Sequence, residues 1–370
     1  MPRKPNRCVG AGLALAGAGV IAVTPVITPL PAVDAPTIRL AAGEESIVLD
    51  IVRHGKTVST GVVAGNLLPG SPLSDLGQEE AQTVGTQLFN QLGGPDGVAG
   101  IFIGQNVRME ETAAPFVGLE QMTPQTLSGL NEIGGGIYAG TPYSGPGGIL
   151  YDLTLLAWAF GVDLVPMPGS FDFTGVVFED SFNTAVQTMY ADALANPVVS
   201  ANGQVTDVAV SGEAAISTWT LMNVKNPDLA IFLPRFVEGV LSPESHPFLS
   251  NAGVVEVEGN PTEGWTLVNF DGQPIPADPG LLTQLVVDVR DLIMPPQIAT
   301  YNLLEAALTG DPATIENTFA AGAQSVGEAI VRFPESVIGD IVYAIQNLFT
   351  DVAAGEPIGD AFGSLVLGLG

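Results

Sequence analysis

The residues best placed to do chemistry are Arg53 and His54, with Gly55 directly after them. They follow Ser46-Ile47-Val48-Leu49-Asp50-Ile51-Val52, an apolar, β-branched run that reads as a buried strand. A strand that delivers an arginine and a histidine into a glycine turn points both side chains at one spot. The glycine there lets the backbone approach a ligand closely. The chemistry this suits is phosphoryl transfer. A neutral imidazole attacks phosphorus while a fixed guanidinium holds the phosphate oxygens through paired hydrogen bonds. Scarcity supports an anion pocket. From Arg39 onward the cations are Arg39, Arg53, Lys56, Arg108, Lys225, Arg235, Arg290 and Arg332. Three of these, Arg53, Lys56 and Arg108, fall in or beside the chemical motifs.

The elements that must position these groups can be read from the flanking sequence. Pro72-Leu73-Ser74-Asp75-Leu76-Gly77-Gln78-Glu79-Glu80-Ala81 starts a helix, with Ser74 as its N-cap. The run GIFIGQNVRMEETAAPF predicts a short strand, Arg108, and a helix beginning near Glu110. Leu130-Asn131-Glu132-Ile133, followed by Gly136 and Gly140, places a carboxylate after a strand.

Taken in order, these motifs resemble the histidine phosphatase superfamily, in its phosphoglycerate mutase-like branch. The resemblance covers residues 46 to 272: Val208-Ala209-Val210-Ser211-Gly212-Glu213-Ala214-Ala215-Ile216 occupies the place of a strand that turns into a helix, and Asn251-Ala252-Gly253-Val254-Val255 with Gly264-Trp265-Thr266-Leu267-Val268 resembles the family's closing hairpin. It implies an α/β fold, a three-layer sandwich around a central mixed, mostly parallel sheet. It also implies that His54 is the nucleophile, that Arg53 and Arg108 bind the substrate's phosphate, and that Glu132 is the general acid and then the base for water. No cofactor and no metal are implied.

The sequence departs from the family pattern at the second pocket histidine. Gly212 stands where that histidine belongs, and Glu213 where a glycine belongs. A Glu213 turned inward would repel a phosphate. His246 lies in a proline-bounded loop and reads as a loop histidine. Thr60 replaces an asparagine, and Gly104 a serine. Gly135 to Val205 corresponds to the family's variable lid. It is rich in aromatics, and there is no Lys or Arg between Arg108 and Lys225. That disfavours a mutase gripping a carboxylate together with phosphates, and favours an ester whose organic part is neutral or apolar.

Composition narrows the classes further. The 370 residues carry 39 acidic and 11 basic side chains, a formal net charge of -28, which argues against nucleic acid as a partner. One cysteine excludes an intramolecular disulfide, and two histidines exclude a zinc site of Cys/His type. Arg3, Lys4 and Arg7 precede an apolar run from Cys8 to Val23 and then a Pro-rich stretch, so residues 1–45 read as an export signal and linker, with an uncleaved anchor as the alternative. The expected location is secreted or cell envelope. Beyond Pro274, Pro276 and Pro279, residues 273–370 read as a helical C-terminal extension in four helices: Leu281 to Met294, closed by Pro295-Pro296, then Gln297 to Leu308, Ala313 to Phe333, and Ser336 to Val352. Apolar residues line one face of the last of these. Packing on the main domain or on a second copy accounts for that face better than membrane or cell-envelope attachment, because the tail lacks a basic face. The expected function is an exported phosphomonoesterase acting on a phosphorylated small molecule. The alternative is an inactive phosphatase fold that binds a phosphorylated ligand or a protein partner.

Overall fold

The computed structural model describes residues 45–59, 61–65, 67–241 and 248–367. The proposed export segment, Thr60 and His246 lie outside these residues.

The run after Ser46 forms β1 (Ile47–Arg53), whose side chains are buried on both faces as its unbroken apolar character requires. It is the middle strand of a seven-stranded mixed sheet of order β3-β2-β4-β1-β5-β6-β7. β1 pairs in parallel with β4 (Thr206–Ser211), β4 with β2 (Gly100–Ile103), and β2 with the short β3 (Gln125–Thr126). On its other side the sheet turns antiparallel through β5 (Val254–Asn260), β6 (Gly264–Phe270) and β7 (Gln273–Pro274), the expected hairpin and its return. The C-terminal ends of β1, β2, β3 and β4 therefore lie along one edge.

Strand alternation sends side chains to two cores. Ile47, Leu49, Ile51, Phe102 and Ala209 face one core, covered by α4 (Gly175–Ala195) and α5 (Glu213–Asn223). Val52, Ile101, Ile103, Val208 and Val210 face the other, covered by α1 (Asp75–Leu92) and α2 (Val107–Glu120). This is the expected three-layer arrangement. The segment expected to form a lid contributes α3 (Pro146–Ala159), and it divides its aromatics. Trp158 and Phe178 stack in the first core, in line with Phe182 and Trp219, while Phe171 and Phe173 are exposed.

The C-terminal extension is helical as expected, but its prolines do not break it. α7 (Leu281–Thr309) runs through Pro295 and Pro296, and α8 (Pro312–Ala353) runs through Pro334; α9 (Ile358–Leu367) follows. An interior proline costs about 3 kcal/mol. Tertiary contacts around the two prolines offset that cost. The buried Arg290 donates to Leu221 O (2.7 Å) and Val224 O (3.0 Å) at the end of α5. Gln297 Nε2 donates to Gly161 O (2.5 Å), and Gln297 Oε1 accepts from Leu164 N–H (3.2 Å). α6 (Leu229–Leu241) completes the helices that flank the site. Among the described residues no helix is long and apolar enough to cross a membrane.

Candidate active site

The turn after β1 is held by backbone contacts that require glycine. Ser74 caps α1 as expected, accepting from Gly77 N–H (3.1 Å), and its own N–H donates to Lys56 O (2.8 Å). A Cβ on Gly77 would collide with Lys56 O, and one on Gly55 would lie 2.5 Å from Gly77 O. Gly55 N–H donates to Thr112 Oγ1 (3.0 Å), whose hydroxyl donates to Arg108 O (2.6 Å). Thr112 therefore ties the histidine turn to the helix that carries Arg108. The signal was available in the arginine-to-threonine spacing, although no role followed from it. Helix α2 begins at Val107, so Arg108 sits in its first turn rather than ahead of the helix.

His54 is buried, and its Nδ1 lies 2.8 Å from Gly55 O. A carbonyl can only accept, so Nδ1 carries the proton and Nε2 presents a lone pair. Burial, reinforced by the Arg108 and Arg53 charges, holds the His54 pKa well below the usual 6.5, so the imidazole is neutral near pH 7. Arg108 is also buried, and its guanidinium has no hydrogen-bond partner among the described residues; its Nε is fully enclosed. Burial lowers the Arg108 pKa, partly countered by the Glu132 carboxylate. Gly70, at φ +75, leaves space beside it: a Cβ there would stand 2.9 Å from Arg108 Nη1 and 3.0 Å from Asn106 Nδ2. Asn106, the residue before α2, is buried beside Arg108, and its side chain makes no hydrogen bond among the described residues. Sequence reasoning did not single it out.

Glu132 follows β3 and a single 3₁₀ turn, Ser128–Leu130, instead of following a strand directly. Ser211 Oγ donates to Leu130 O (2.7 Å) and fixes that turn against the end of β4. Glu132 Oε1 accepts from Ile133 N–H (3.1 Å) and Ala215 N–H (3.0 Å). Ala215 is in the first turn of α5, whose N-cap is Gly212 and has no side chain to offer. Glu132 caps that helix from across the site. Burial raises its pKa, against the lowering effect of Arg108. A Cβ on Gly212 would fall inside the Glu132 carboxylate, so the space of the missing histidine is filled. Gly104 is also fixed by space, since a Cβ there would strike Met109 Sδ.

Glu213 is turned inward, onto Arg53. Its Oε2 lies 2.9 Å from Arg53 Nη2, its Oε1 accepts from Leu249 N–H (3.2 Å), and Arg53 Nη1 donates to Leu249 O. Both terminal nitrogens of Arg53 are thus committed to protein, and its Nε is enclosed without a partner. The four singled-out residues, Arg53, His54, Arg108 and Glu132, lie in mutual electrostatic reach at the C-terminal edge of the parallel strands. Among the described residues no group of three or more His, Cys, Asp or Glu side chains could hold a metal ion.

A neutral histidine thus stands at the end of the first strand of a mixed sheet, in electrostatic reach of a guanidinium that has no hydrogen-bond partner among the described residues. The chain matches the histidine phosphatase superfamily (branch 1) over residues 49–146. It is 44% identical over 319 residues to the PE-PGRS family protein PE_PGRS11 of Mycobacterium tuberculosis; the match takes in 85% of this chain. It takes in 51% of that protein, so the chain spans about half the length of this curated relative. Among solved structures, a mycobacterial glucosyl-3-phosphoglycerate phosphatase is similar at 18% identity, with 61% of this chain and 99% of that chain covered and a TM-score of 0.43. A phosphoserine phosphatase of Entamoeba histolytica is similar at 19% identity, 61% and 97% coverage, and a TM-score of 0.41.

Proposed function

We propose that this chain is a phosphomonoesterase that works through a phosphohistidine at His54. The observation that carries the reading is the neutral, buried imidazole with Nδ1 on Gly55 O, in reach of the buried guanidinium of Arg108, which has no hydrogen-bond partner among the described residues. Arg108, with the Asn106 amide, holds the phosphate oxygens. His54 Nε2 attacks phosphorus as the ester oxygen leaves, and that oxygen takes a proton from Glu132, whose pKa burial raises. Water then attacks the N–P bond and gives a proton back to Glu132. Inorganic phosphate leaves and His54 is regenerated. A second anionic group is disfavoured, because no cation lies between Arg108 and Lys225 and Arg290, beside the same cavity, is bonded to Leu221 O, Val224 O and Asp291. The preferred ester therefore has a neutral or apolar organic part, accommodated near Tyr143 and Tyr151. The protein acts outside the cytoplasm, directed there by the basic and apolar segment at residues 1–45.

The test is a phosphoenzyme trap, rapidly quenched in alkali because the N–P bond of phosphohistidine is labile in acid, with a panel of esters and without added metal. Wild type forms a phosphoenzyme and His54→Asn does not. A second reading, a binder without turnover, is favoured by one observation, the Glu213–Arg53 ion pair that occupies a phosphate-binding arginine. Phosphate binding with no phosphoenzyme from any ester selects it. Neither binding nor turnover refutes both.

A further inference from the structure

Beside the phosphate-binding end of the site lies a cavity of about 150 Å³ between α3, α5, α6 and α7. Its inner end is formed by Glu132, Glu213, Tyr143 and Tyr151, the groups that border the catalytic residues. Away from that end its walls are mostly hydrocarbon, from Leu155, Leu156, Leu221, Phe232, Val286 and Val287, and the Arg290 guanidinium that also lines it is bonded to Leu221 O, Val224 O and Asp291. Resting on the phosphomonoesterase reading, we infer that this cavity binds the aliphatic chain of an amphiphilic phosphate monoester whose phosphate sits at Arg108 and His54.

Three features select that occupant. The first is continuity: Glu132, the proposed proton donor to the ester oxygen, lines the cavity, so a chain attached to that oxygen starts at its wall. The second is length. Glu213, Ser217 and Leu221 succeed one another along one face of α5, and at 1.5 Å per residue they span about 12 Å. That matches an extended chain of roughly eight to ten carbons. An apolar cavity of about this volume takes a hydrocarbon guest readily. The third is an unused polar atom. Ser217 is 7% exposed, lines the cavity, and its Oγ has no hydrogen-bond partner. It lies one helical turn beyond Glu213, where it can meet an oxygen carried near the head of the chain, as a hydroxyl, ether or ester. A buried hydroxyl left unpaired is costly, and a ligand oxygen removes that cost.

Glu132, Asp152 and Glu213 all line the cavity. Their carboxyl groups disfavour a second anionic group on the substrate, while an uncharged chain is not opposed.

The experiment uses the full chain and two ligand series. The first is n-alkyl phosphates of two to twelve carbons, read as Kd for the His54→Asn protein. The second is 1-alkanols of the same lengths, which carry no phosphate, read as a shift in melting temperature. Affinity for the phosphates should rise roughly fourfold per methylene, and level off beyond about ten carbons as the chain reaches Leu221. The alkanols should stabilise the protein with the same length dependence. In Leu156→Trp, which fills the cavity, both length dependences should disappear, with inorganic phosphate binding reporting that the variant is folded. A flat series in wild type, or a rise that survives in Leu156→Trp, overturns the inference. Because inorganic phosphate is measured separately, a protein that binds phosphate but ignores chain length refutes the cavity's role alone. A protein that binds neither refutes the phosphatase reading.

Discussion

Glu213 holds the guanidinium that a phosphate needs, so replacing it should tighten phosphate binding. The substitution is Glu213→Gln, which keeps an acceptor for Leu249 N–H, now 3.2 Å from Oε1, and removes the charge that pairs with Arg53 Nη2 at 2.9 Å. The pair is half-buried, with side-chain exposures of 13% for Arg53 and 26% for Glu213. Two unit charges about 4 Å apart attract by about 4 kcal/mol at the effective dielectric of a protein surface. Desolvation and ordering of the two side chains cancel most of that. The net competition a phosphate must overcome is then about 1–2 kcal/mol, or roughly 5- to 30-fold in Kd. The assay is calorimetric titration of inorganic phosphate at pH 7.5 and low salt. Removing any negative charge near an anion site strengthens binding a little, so Asp152→Asn is the control. Asp152 borders the same cavity and makes no hydrogen bond or ion pair with Arg53. Its neutralisation should change Kd far less than Glu213→Gln does. Equal or weaker phosphate binding by Glu213→Gln, or an equal gain from Asp152→Asn, would refute the idea that Glu213 competes for Arg53.

Restoring the family's second histidine as Gly212→His should destabilise the protein by about 1–3 kcal/mol through overpacking, because the new Cβ meets the Glu132 carboxylate. A thermal melt unchanged from wild type would contradict this, and combining it with Glu132→Ala should recover part of the loss. Asp50 is buried in β1, and its pKa is raised from 3.8 to about 7 by burial, with Glu256 adding to it. A folded-state pKa above the unfolded one means stability is full below about pH 4 and is lost as pH rises toward 7. Asp50→Asn should match wild type at pH 4 and exceed it increasingly up to pH 7, then by a constant margin; denaturant titrations across that range decide. A reporter fused after residue 45 should appear outside the cytoplasm, and a reporter retained inside would remove the export proposal.

What the sequence made legible was local. A β-branched run ending in Arg53-His54-Gly55, the Ser74 cap, and the Ser211-Gly212-Glu213 junction each depend on neighbouring residues, and each stands where expected. The Gly55–Gly77 contact explains why the motif pairs those two glycines across a sequence gap. The failures come from tertiary forces. Pro295 and Pro296 signal a break, yet α7 continues because Arg290 and Gln297 are anchored to α5 and to the segment after α3. The strand expected before Glu132 shrinks to two residues at a sheet edge, where only β2 supports it. Asn106 went unnoticed because an asparagine before a helix usually reads as a cap, and here its side chain makes no cap bond. The inward turn of Glu213 was foreseeable as a hazard to phosphate. Its ion pair with Arg53, stabilised by Leu249, was not, because that partner lies 36 residues away in sequence.

Helix α5 is held at both ends by residues from elsewhere in the chain. Glu132 serves its N-terminal amides, and Arg290 of α7 serves its C-terminal carbonyls. A tug on either end is therefore felt along one short rigid rod that also carries Glu213. Excising the chain at residue 280, the natural choice for anyone wishing to study the α/β domain alone, would strip the carbonyls of their guanidinium and remove one wall of the cavity. Such a fragment would report the chemistry of a different, looser site. The C-terminal helices are thus better treated as masonry of the active site than as an appendage to it.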